Sequence, residues 1–533
     1  MTGLERIGLG TLTLLTLLYV VGLDRAPAFV GSDEAHFAGQ ALSIATTGRD
    51  LNGRFLPLFV EILDPLAMNQ SLGVWYQPML FYFMALVLKV LPVAEWSIRL
   101  PMALVAVLNC WLTYAVGRRV FAKRGYAVLA ALMLAMTPAQ FIMSRQALDY
   151  LAPLPFVLGW TWCLLRFFES GSRSSLMTGG ALLGIGLYSY VASWMMMPFY
   201  LALTLLLLRR HSATPWRSSL QLCGAFAVPV LLAPFWLYFH PVMLSETVAR
   251  YHLAGADSVP LLQRITAMVD VDLGRRVSLY WHYFNPSFLF FAGGSHPTQS
   301  TARVGVFLLP VAVFLVFGVH RLWTERRRPQ NVLLLVGLFS APLPIVLVVP
   351  QDPEYSIARL LVLLPFAALV AATGVEWLIQ RPSRAWRMMT IALLMVMPVQ
   401  YAAFQWDYFS TYQLRATPRL DPLNTRDVTA YILDRDRQSP VPRVYLADND
   451  QDEKAVSWRF HLLKHGRMDL WERTRYFIPN RLDTDGVAPG SLIVFYAADP
   501  AAKTLLDQGH VTLAATIRNL AADPSALIFE RNR

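Results

Sequence analysis

The sequence predicts a polytopic α-helical membrane protein with about 11 transmembrane helices, followed by a small extracytoplasmic α/β domain. The chain has 533 residues, of which 55% are hydrophobic and only 15% are charged. Soluble chains are about 45–50% apolar and about 25% charged. The apolar excess is also concentrated in blocks of about 17–23 residues, the length that crosses a hydrocarbon core of about 30 Å. Both observations indicate repeated membrane crossings.

The basic residues indicate how these helices are oriented. The formal net charge is +11, which by itself would also suit a nucleic-acid-binding protein. The arginines and lysines, however, lie in short loops between apolar blocks, which is typical of cytoplasmic loops under the positive-inside rule. We therefore predict no nucleic-acid partner and assign these loops to the cytoplasm. They lie at Gly117–Gly125, Arg166–Arg173, Arg209–Arg217, Arg321–Arg328 and Arg381–Arg387.

The first helix and the loop after it pose a choice of topology. An apolar run at Ile7–Leu23 has no small-residue cleavage site after it, so we predict an uncleaved first span that leaves residues 24–96 outside. If both following blocks, Trp75–Leu91 and Ser97–Val116, crossed the membrane, the basic loop at Arg118 would lie outside as well. We therefore predict that only the second block spans and that the first lies in the membrane interface. The alternative, that both blocks span, remains open.

The same alternation divides the rest of the chain into two domains. The longest later external loop is predicted at residues 240–303, and the last span at Met388–Phe404. Residues 1–404 would then form a transmembrane module, and residues 405–533 a soluble extracytoplasmic domain. About half of all acidic residues lie in this last quarter of the chain, as expected of a segment that faces water.

Short patterned segments predict the fold of the C-terminal domain. Apolar runs rich in β-branched and aromatic residues at Arg443–Ala447 and Ser491–Tyr496 are typical of buried strands. Amphipathic periodicity at Ser457–His465 and Pro500–Gln508 predicts helices. Together they indicate an α/β domain.

Charged side chains gather on the predicted external side of the membrane module. Asp33 and Glu34 open the first external loop, where an acidic pair could also simply stabilise the start of a helix. Arg145 with Asp149, then His282 and His296, and finally Arg359 lie in later external segments. Each has a structural alternative, such as an interfacial arginine paired with lipid headgroups. Together they suit a site for a membrane-borne anionic substrate.

Several short segments, in this order and spacing, resemble the GT-C glycosyltransferases that use polyprenyl-phosphate sugars. The resemblance is to the branch with the protein O-mannosyltransferases and the lipid A aminoarabinose transferases, and it covers most of the membrane module. The segments are Asp33-Glu34, Trp75-Tyr-Gln-Pro78, Arg99-Leu-Pro101, Gly117-Arg-Arg119, Ser144-Arg145 with Asp149, Gly186-Leu-Tyr-Ser-Tyr190, Tyr283-Phe-Asn-Pro-Ser-Phe-Leu-Phe290, Arg359-Leu-Leu-Val-Leu-Leu-Pro365 and Asp407-Tyr-Phe409.

The resemblance implies an inverting transfer of a sugar from a polyprenyl phosphate to an acceptor, on the extracytoplasmic side of the inner (plasma) membrane. The acceptor would be a lipid, a glycan or a protein. The resemblance implies Asp33 as the general base, with Glu34 assisting or positioning it. The residues implied for the donor phosphate are Arg145, Arg359, Tyr76 and Gln77. Those implied to line the site are His36, Arg99, Asp149, His282 and His296.

The residues do not require a cofactor, although a divalent metal stays open. Asp33, Asp149 and His296 have no metal-ligand spacing, and the chain has no Gly-rich phosphate loop, which a lipid-linked donor makes unnecessary. Its three cysteines lie inside apolar blocks, which favours helix packing over a disulfide or a metal site. Two other function classes remain: a transporter or flippase for a lipid-linked or anionic substrate, and a membrane anchor or receptor for the soluble domain. No internal repeat supports the transporter.

Overall fold

The computed structural model describes residues 3–63, 71–250, 273–348, 356–447, 451–482 and 486–532. Up to residue 409 the chain is mainly helical, with one two-stranded antiparallel sheet, Val60–Leu63 (β1) and Ser71–Tyr76 (β2). The helices are Gly3–Leu17 (α1), Ser32–Thr47 (α2), Pro78–Leu88 (α3), Glu95–Val120 (α4), Arg124–Ala135 (α5), Pro138–Ser144 (α6), Leu154–Ser170 (α7), Arg173–Gly186 (α8), Ser193–His211 (α9), Pro215–Val230 (α10), Leu232–Phe239 (α11), Pro241–Arg250 (α12), Leu273–His282 (α13), Pro310–Thr324 (α14), Pro329–Ser340 (α15), Leu343–Val348 (α16), Leu363–Ile379 (α17) and Arg384–Phe409 (α18).

Several of these helices could cross a membrane. By length and composition, five helical segments within the described residues are long and apolar enough, and α5 with α6, bent by 58°, would make a sixth. The chain is thus a multi-pass helical membrane protein, as predicted. The count of about 11 spans and the orientation of the helices stay predictions.

The block Trp75–Leu91 is not one interfacial helix. Trp75 belongs to β2, and α3 begins only at Pro78. The proline fixes this boundary, because it fits the first turn of a helix and holds the residue before it, Gln77, in an extended conformation (ψ 147°). The 11 residues of α3 rise about 16 Å, well short of a hydrocarbon core. This length agrees with the prediction that the block does not span.

Two predicted helix boundaries need correction. The helix expected from Arg359 begins at Leu363, and Arg359 lies in the preceding turn. With this start Pro365 falls in the first helical turn, where its missing N–H needs no partner. The last span, expected to end at Phe404, continues to Phe409.

Helices α14 and α17 pack backbone to backbone through two glycines. A Cβ built on Gly318 would lie 2.0 Å from the carbonyl oxygen of Val370, and one built on Gly374 would lie 2.0 Å from that of Phe314. Small residues at such crossings are common where helices pack inside membranes. The contact fixes α17, and with it the turn that carries Arg359.

The C-terminal part forms a five-stranded mixed sheet of Val444–Ala447 (β3), Thr474–Phe477 (β4), Leu492–Tyr496 (β5), Val511–Arg518 (β6) and Pro524–Arg531 (β7). Their order in the sheet is β4-β3-β5-β7-β6. Strand β3 is parallel to β4 and β5, whereas β7 is antiparallel to β5 and β6. Strands occur where the sequence predicted them, and three further strands complete the sheet. The elements are Thr411–Leu420 (α19), Thr425–Gln438 (α20), Val444–Ala447 (β3), Gln451–Lys464 (α21), Asp469–Glu472 (α22), Thr474–Phe477 (β4), Leu492–Tyr496 (β5), Pro500–Asp507 (α23), Val511–Arg518 (β6) and Pro524–Arg531 (β7).

Helix α21 joins the two parts of the molecule, because it packs against α2 of the membrane module. Its Val456 and Phe460 belong to the same hydrophobic cluster as the transmembrane helices. At its end, Lys464 forms an ion pair of 2.8 Å with Glu95 at the start of α4. The helix that carries the candidate catalytic acid is therefore held in part by the C-terminal domain.

Candidate active site

The adjacent acids Asp33 and Glu34 occupy different environments in the first turn of α2. The side chain of Asp33 is exposed, whereas that of Glu34 is buried. Glu34 Oε2 accepts the backbone N–H of Gly31 at 3.1 Å, which closes the start of the helix. Neighbouring helical residues point about 100° apart, so one residue of separation is enough to place one acid in the interior and the other at the surface.

Glu34 is part of a buried ion pair rather than a solvated acidic pair. Arg99 donates from Nε to Glu34 Oε1 at 2.9 Å and from NH2 to Oε2 at 3.1 Å. The Ala147 backbone N–H also donates to Oε1 at 2.8 Å. The side chains of Glu34 and Arg99 are 2% and 0% exposed. Glu34 therefore links α2, α4 and the segment before α7, an arrangement that suits the positioning role, one of the two roles predicted for it.

The rest of the Arg99 guanidinium holds the segment between α1 and α2. It donates to the carbonyl oxygens of Leu23, Pro27 and Phe29 at 2.9, 2.8 and 2.5 Å. All five N–H groups of an arginine can be satisfied only by a converging set of acceptors such as this one. Arg99 thus holds this segment in place from the protein interior. Because all of its donors are used inside the protein, its predicted role changes from lining the site to holding this segment.

Arg145 has a similar structural environment. Its guanidinium donates to the carbonyl oxygens of Ala26 and Gly22 at 2.8 and 2.5 Å. It also lies over the rings of Phe141 and Phe409, 5.2 and 4.9 Å from their centroids. Because the residue is fully buried and bound to backbone oxygens, we no longer assign it to the donor phosphate.

A second set of polar side chains converges around Tyr150. Asp33 interacts electrostatically with Asp149 and with Tyr150, and Arg359 interacts with Tyr150. Tyr76 also acts on Tyr150. The start of α2, strand β2, the segment before α7 and the turn before α17 therefore lie within electrostatic range of Tyr150. We call these residues the Tyr150 cluster: Asp33, Tyr76, Asp149, Tyr150 and Arg359.

Aromatic contacts hold the tyrosines of this cluster in place. The ring of Tyr150 meets that of Tyr190 edge to face at 5.5 Å, and the ring of Tyr76 meets that of Phe37 at 4.7 Å. Phe37 lies on α2, four residues after Asp33, so the packing also relates Tyr76 to the helix of the acid. Such pairs favour one relative orientation of the rings.

Two buried acceptors at the cluster have no protein partner among the described residues. They are Asp149 Oδ2 and Gln77 Oε1, in side chains that are each 2% exposed. A buried polar atom without a partner is costly, and native proteins usually satisfy it with water or a ligand. Gln77, itself predicted to meet the donor phosphate, directly follows Tyr76, and Asp149 directly precedes Tyr150. Both atoms therefore belong to segments that carry the cluster.

The three predicted histidines are linked less directly to the Tyr150 cluster. His36 is half-buried on α2 and, three residues after Asp33, lies on the same helix face. His282 neighbours Tyr283, which interacts with Arg359. Burial raises the pKa of Tyr283 to about 12, and the charge of Arg359 opposes this rise. His296 bonds within its own loop, with Nδ1 2.6 Å from Thr298 Oγ1.

The loop that contains His296 nevertheless contacts two segments next to the Tyr150 cluster. Gln146 Nε2 donates to the carbonyl oxygen of Thr298 at 2.6 Å, and Gln299 Oε1 accepts from Ser356 Oγ at 3.0 Å. The loop is thereby fixed between the Asp149 segment and the Arg359 turn. Within the described residues, no group of three His, Cys, Asp or Glu side chains could hold a metal ion.

Sequence reasoning missed three tyrosines: Tyr150, Tyr190 and Tyr283. Tyr150 directly follows Asp149, and Tyr190 and Tyr283 lie inside segments that carry the family resemblance. The ring contact between Tyr150 and Tyr190 and the interaction of Tyr283 with Arg359 join segments that are far apart in the sequence. No periodic or spacing signal marks them in the sequence.

Comparisons with known proteins agree with this architecture. Residues 76–238 match the family described as dolichyl-phosphate-mannose-protein mannosyltransferase. The protein YycA of Bacillus subtilis (strain 168), provisionally named a mannosyltransferase, is 29% identical over 153 residues, which is 28% of this chain. The match covers only 22% of the length of that relative.

The whole chain shares its fold with a solved structure. ArnT from Cupriavidus metallidurans, in a crystal structure bound to undecaprenyl phosphate, superposes with a TM-score of 0.52 at 12% identity and covers 99% of this chain and 98% of its own. The same protein in the apo state gives a TM-score of 0.50, at 12% identity and with 98% and 97% coverage. The predicted resemblance to GT-C membrane glycosyltransferases is confirmed.

Proposed function

We propose that this chain, which has the fold of the GT-C membrane glycosyltransferases, transfers a sugar from a polyprenyl-phosphate donor to an acceptor and inverts the anomeric centre. The observation that carries the proposal is the Tyr150 cluster. It brings one exposed carboxylate, Asp33, and one arginine, Arg359, to the same place from distant parts of the chain. An acid to accept a proton and a cation to meet a phosphate are the two groups that this reaction needs.

Asp33 is the general base of the proposed reaction. Its carboxylate takes the proton from the acceptor hydroxyl or amine as the acceptor atom forms a bond to the anomeric carbon. The bond from that carbon to the phosphate oxygen breaks on the opposite side, and its electron pair leaves with the polyprenyl phosphate. Glu34 does not exchange protons in this scheme, since both of its oxygens are engaged in the buried pair with Arg99, which holds α2 in place.

Arg359, Tyr76 and Gln77 meet the departing phosphate in this proposal. A guanidinium can donate two parallel hydrogen bonds to phosphate oxygens and stays charged at every relevant pH. Undecaprenyl phosphate is bound to the ArnT structure that shares this fold, which supports a lipid phosphate as the ligand here. Only the amide nitrogen of Gln77 can donate to the phosphate, so its unpartnered oxygen would accept from a sugar hydroxyl or a bound water.

The acceptor is a lipid, glycan or protein at the outer face of the plasma membrane. The positive-inside assignment of the basic loops supports this side. Cysteines introduced at Phe55, in the first external loop, and at Arg118, both exposed, test it in a cysteine-free background. Labelling of Phe55→Cys from outside and of Arg118→Cys only after permeabilisation is expected. External labelling at Arg118 would reverse the assignment.

Asp33→Asn is the direct test of the function. The purified variant is compared with wild type for release of polyprenyl phosphate from a panel of polyprenyl-phosphate sugars, with cell-envelope lipids and proteins as acceptors. Loss of a general base lowers the rate by about 10²–10⁴-fold. Asp24→Asn, another exposed acid of the same loop, is the matched control and should keep wild-type activity. Near-normal turnover by Asp33→Asn removes the residue from this role, and no turnover by wild type with any donor contradicts the proposed function.

A further inference from the structure

A cleft with a basic rim lies between helices α9 and α15, away from the Tyr150 cluster. It has a volume of about 600 Å³. Its floor is apolar and its rim is cationic, with no acidic side chain among the lining residues. The floor consists of Leu207, Val332, Leu335 and Val336, and the rim of Arg210, His211, Trp323, Arg326 and Arg327.

Glu325, an acid close to the rim, is paired with other arginines. Arg321 and Arg328 lie 2.6 and 3.6 Å from its carboxylate. Within the described part of the chain, no ion pair involves the three rim arginines, Arg210, Arg326 and Arg327. The rim therefore keeps a net positive charge that is not neutralised by the protein.

Trp323 indicates the level in the membrane at which the cleft opens. Its side chain is 60% exposed, and the guanidinium of Arg326 lies 5.0 Å from its ring centroid. Exposed tryptophans at helix ends are enriched at the boundary between lipid headgroups and hydrocarbon. Arginines at the same level keep their aliphatic stems over apolar surface and their charges at the headgroups.

We propose that this cleft binds an anionic phospholipid from the leaflet that the basic loops face. The phosphate would be held by Arg210, Arg326 and Arg327, and the first part of an acyl chain would lie on the floor formed around Leu335 and Val336. Basic pockets between transmembrane helices recognise anionic headgroups in this way. The apolar floor argues for a lipid over a soluble anion, since a soluble anion gains nothing from buried leucine and valine side chains.

Native mass spectrometry of the full chain tests the proposal. The protein is purified in detergent and titrated with phosphatidylglycerol and with phosphatidylethanolamine of the same chain length. Wild type should bind the anionic lipid at least tenfold more tightly. Each arginine near an anionic headgroup contributes about fivefold, so Arg210→Gln with Arg326→Gln and Arg327→Gln should lower the affinity by about 100-fold.

A charge-matched variant distinguishes this cleft from general surface charge. Arg173→Gln with Arg384→Gln and Arg387→Gln removes three exposed arginines outside the cleft, and it should bind phosphatidylglycerol as wild type does. Equal affinities of the two triple variants, or equal binding of the two lipids by wild type, would overturn the proposal.

Two further arms decide whether the acyl chain enters the cleft. Val336→Trp fills the floor and leaves every arginine in place, so it should weaken lipid binding by tenfold or more. The soluble headgroup glycerophosphoglycerol should compete with the lipid only at concentrations at least 100-fold higher. Unchanged lipid binding by Val336→Trp, or competition at equal concentration, would show a headgroup or free-anion site and refute a lipid in the cleft.

Discussion

The two sides of helix α2 use charged residues in opposite ways. On the buried side, each oxygen of Glu34 accepts hydrogen bonds, and the Arg99 donors reach carboxylate and backbone acceptors. On the exposed side, Asp33 lies near a second carboxylate, Asp149. Satisfied opposite charges hold a fold in one arrangement, whereas carboxyl groups brought together are typical of functional sites. The comparison separates a positioning network from a chemical one.

Removing the charge of Glu34 should cause the largest effect on stability. Glu34→Gln leaves the guanidinium of Arg99 buried without a counter-charge, which costs about 3–5 kcal/mol. Thermal unfolding in a fixed detergent measures it. Asp33→Asn is the matched control one residue away, and it should change the unfolding free energy by no more than about 0.5 kcal/mol.

A double variant sharpens this comparison. Glu34→Leu with Arg99→Met removes both charges, so no unpaired ion remains, and the protein should be more stable than Glu34→Gln alone. If Glu34→Gln unfolds at the wild-type temperature, the buried side of α2 is not the positioning network described above.

Substitutions at Arg359 test the chemical side. Under the phosphate-binding role, Arg359→Lys keeps the charge but loses the paired donors, so donor affinity should fall. Arg359→Ala should lose about 2–4 kcal/mol of transition-state stabilisation, comparable to one oxyanion donor. Transfer rate against donor concentration for the three proteins in one detergent is the measurement. Equal kinetics for wild type and Arg359→Lys would favour an arginine that only reaches lipid headgroups.

The contact between α21 and the membrane module should depend on pH. Burial lowers the pKa of His461 from 6.5 to about 3, and the nearby positive charges of Lys464 and Arg426 add to this while Glu95 opposes it. The unfolded chain therefore binds a proton below about pH 6.5 that the folded chain does not. Stability is present above that pH and falls by about 1.4 kcal/mol per pH unit as the pH drops from about 6 towards 4.

The variant His461→Leu removes this titration and fits an apolar environment. Melting temperatures of wild type and variant between pH 4.5 and 7.5 test the prediction. The difference between the two proteins should widen in acid, with the variant losing less stability. Parallel curves would show that another group controls acid unfolding.

The smallest effect is expected at the ion pair between the two parts of the molecule. Lys464→Met removes the 2.8 Å contact with Glu95, while Arg426 remains 3.4 Å from that carboxylate. A partly exposed ion pair with a second cation beside it contributes about 1 kcal/mol or less to the free energy of unfolding. Unfolding free energies in low and high salt measure it, and a loss of several kcal/mol would mean that the interface depends on this single pair.

The sequence by itself determined the class of protein. Apolar blocks of spanning length, basic loops and the ordered segments from Asp33 to Asp407 were enough to predict a multi-pass membrane protein with the fold of the GT-C glycosyltransferases, because hydropathy and short motifs are local properties of the chain. The strands of the last quarter at Val444–Ala447 and Leu492–Tyr496 followed from equally local patterns.

The tertiary structure decided what each charged residue does. Glu34 and Arg99 are 65 positions apart, and Arg145 bonds to a carbonyl 119 positions away, so no local pattern could tell these buried residues from Asp33 and Arg359. Burial and pairing depend on which distant segments pack together, and that packing determines whether a charge supports the fold or faces the site.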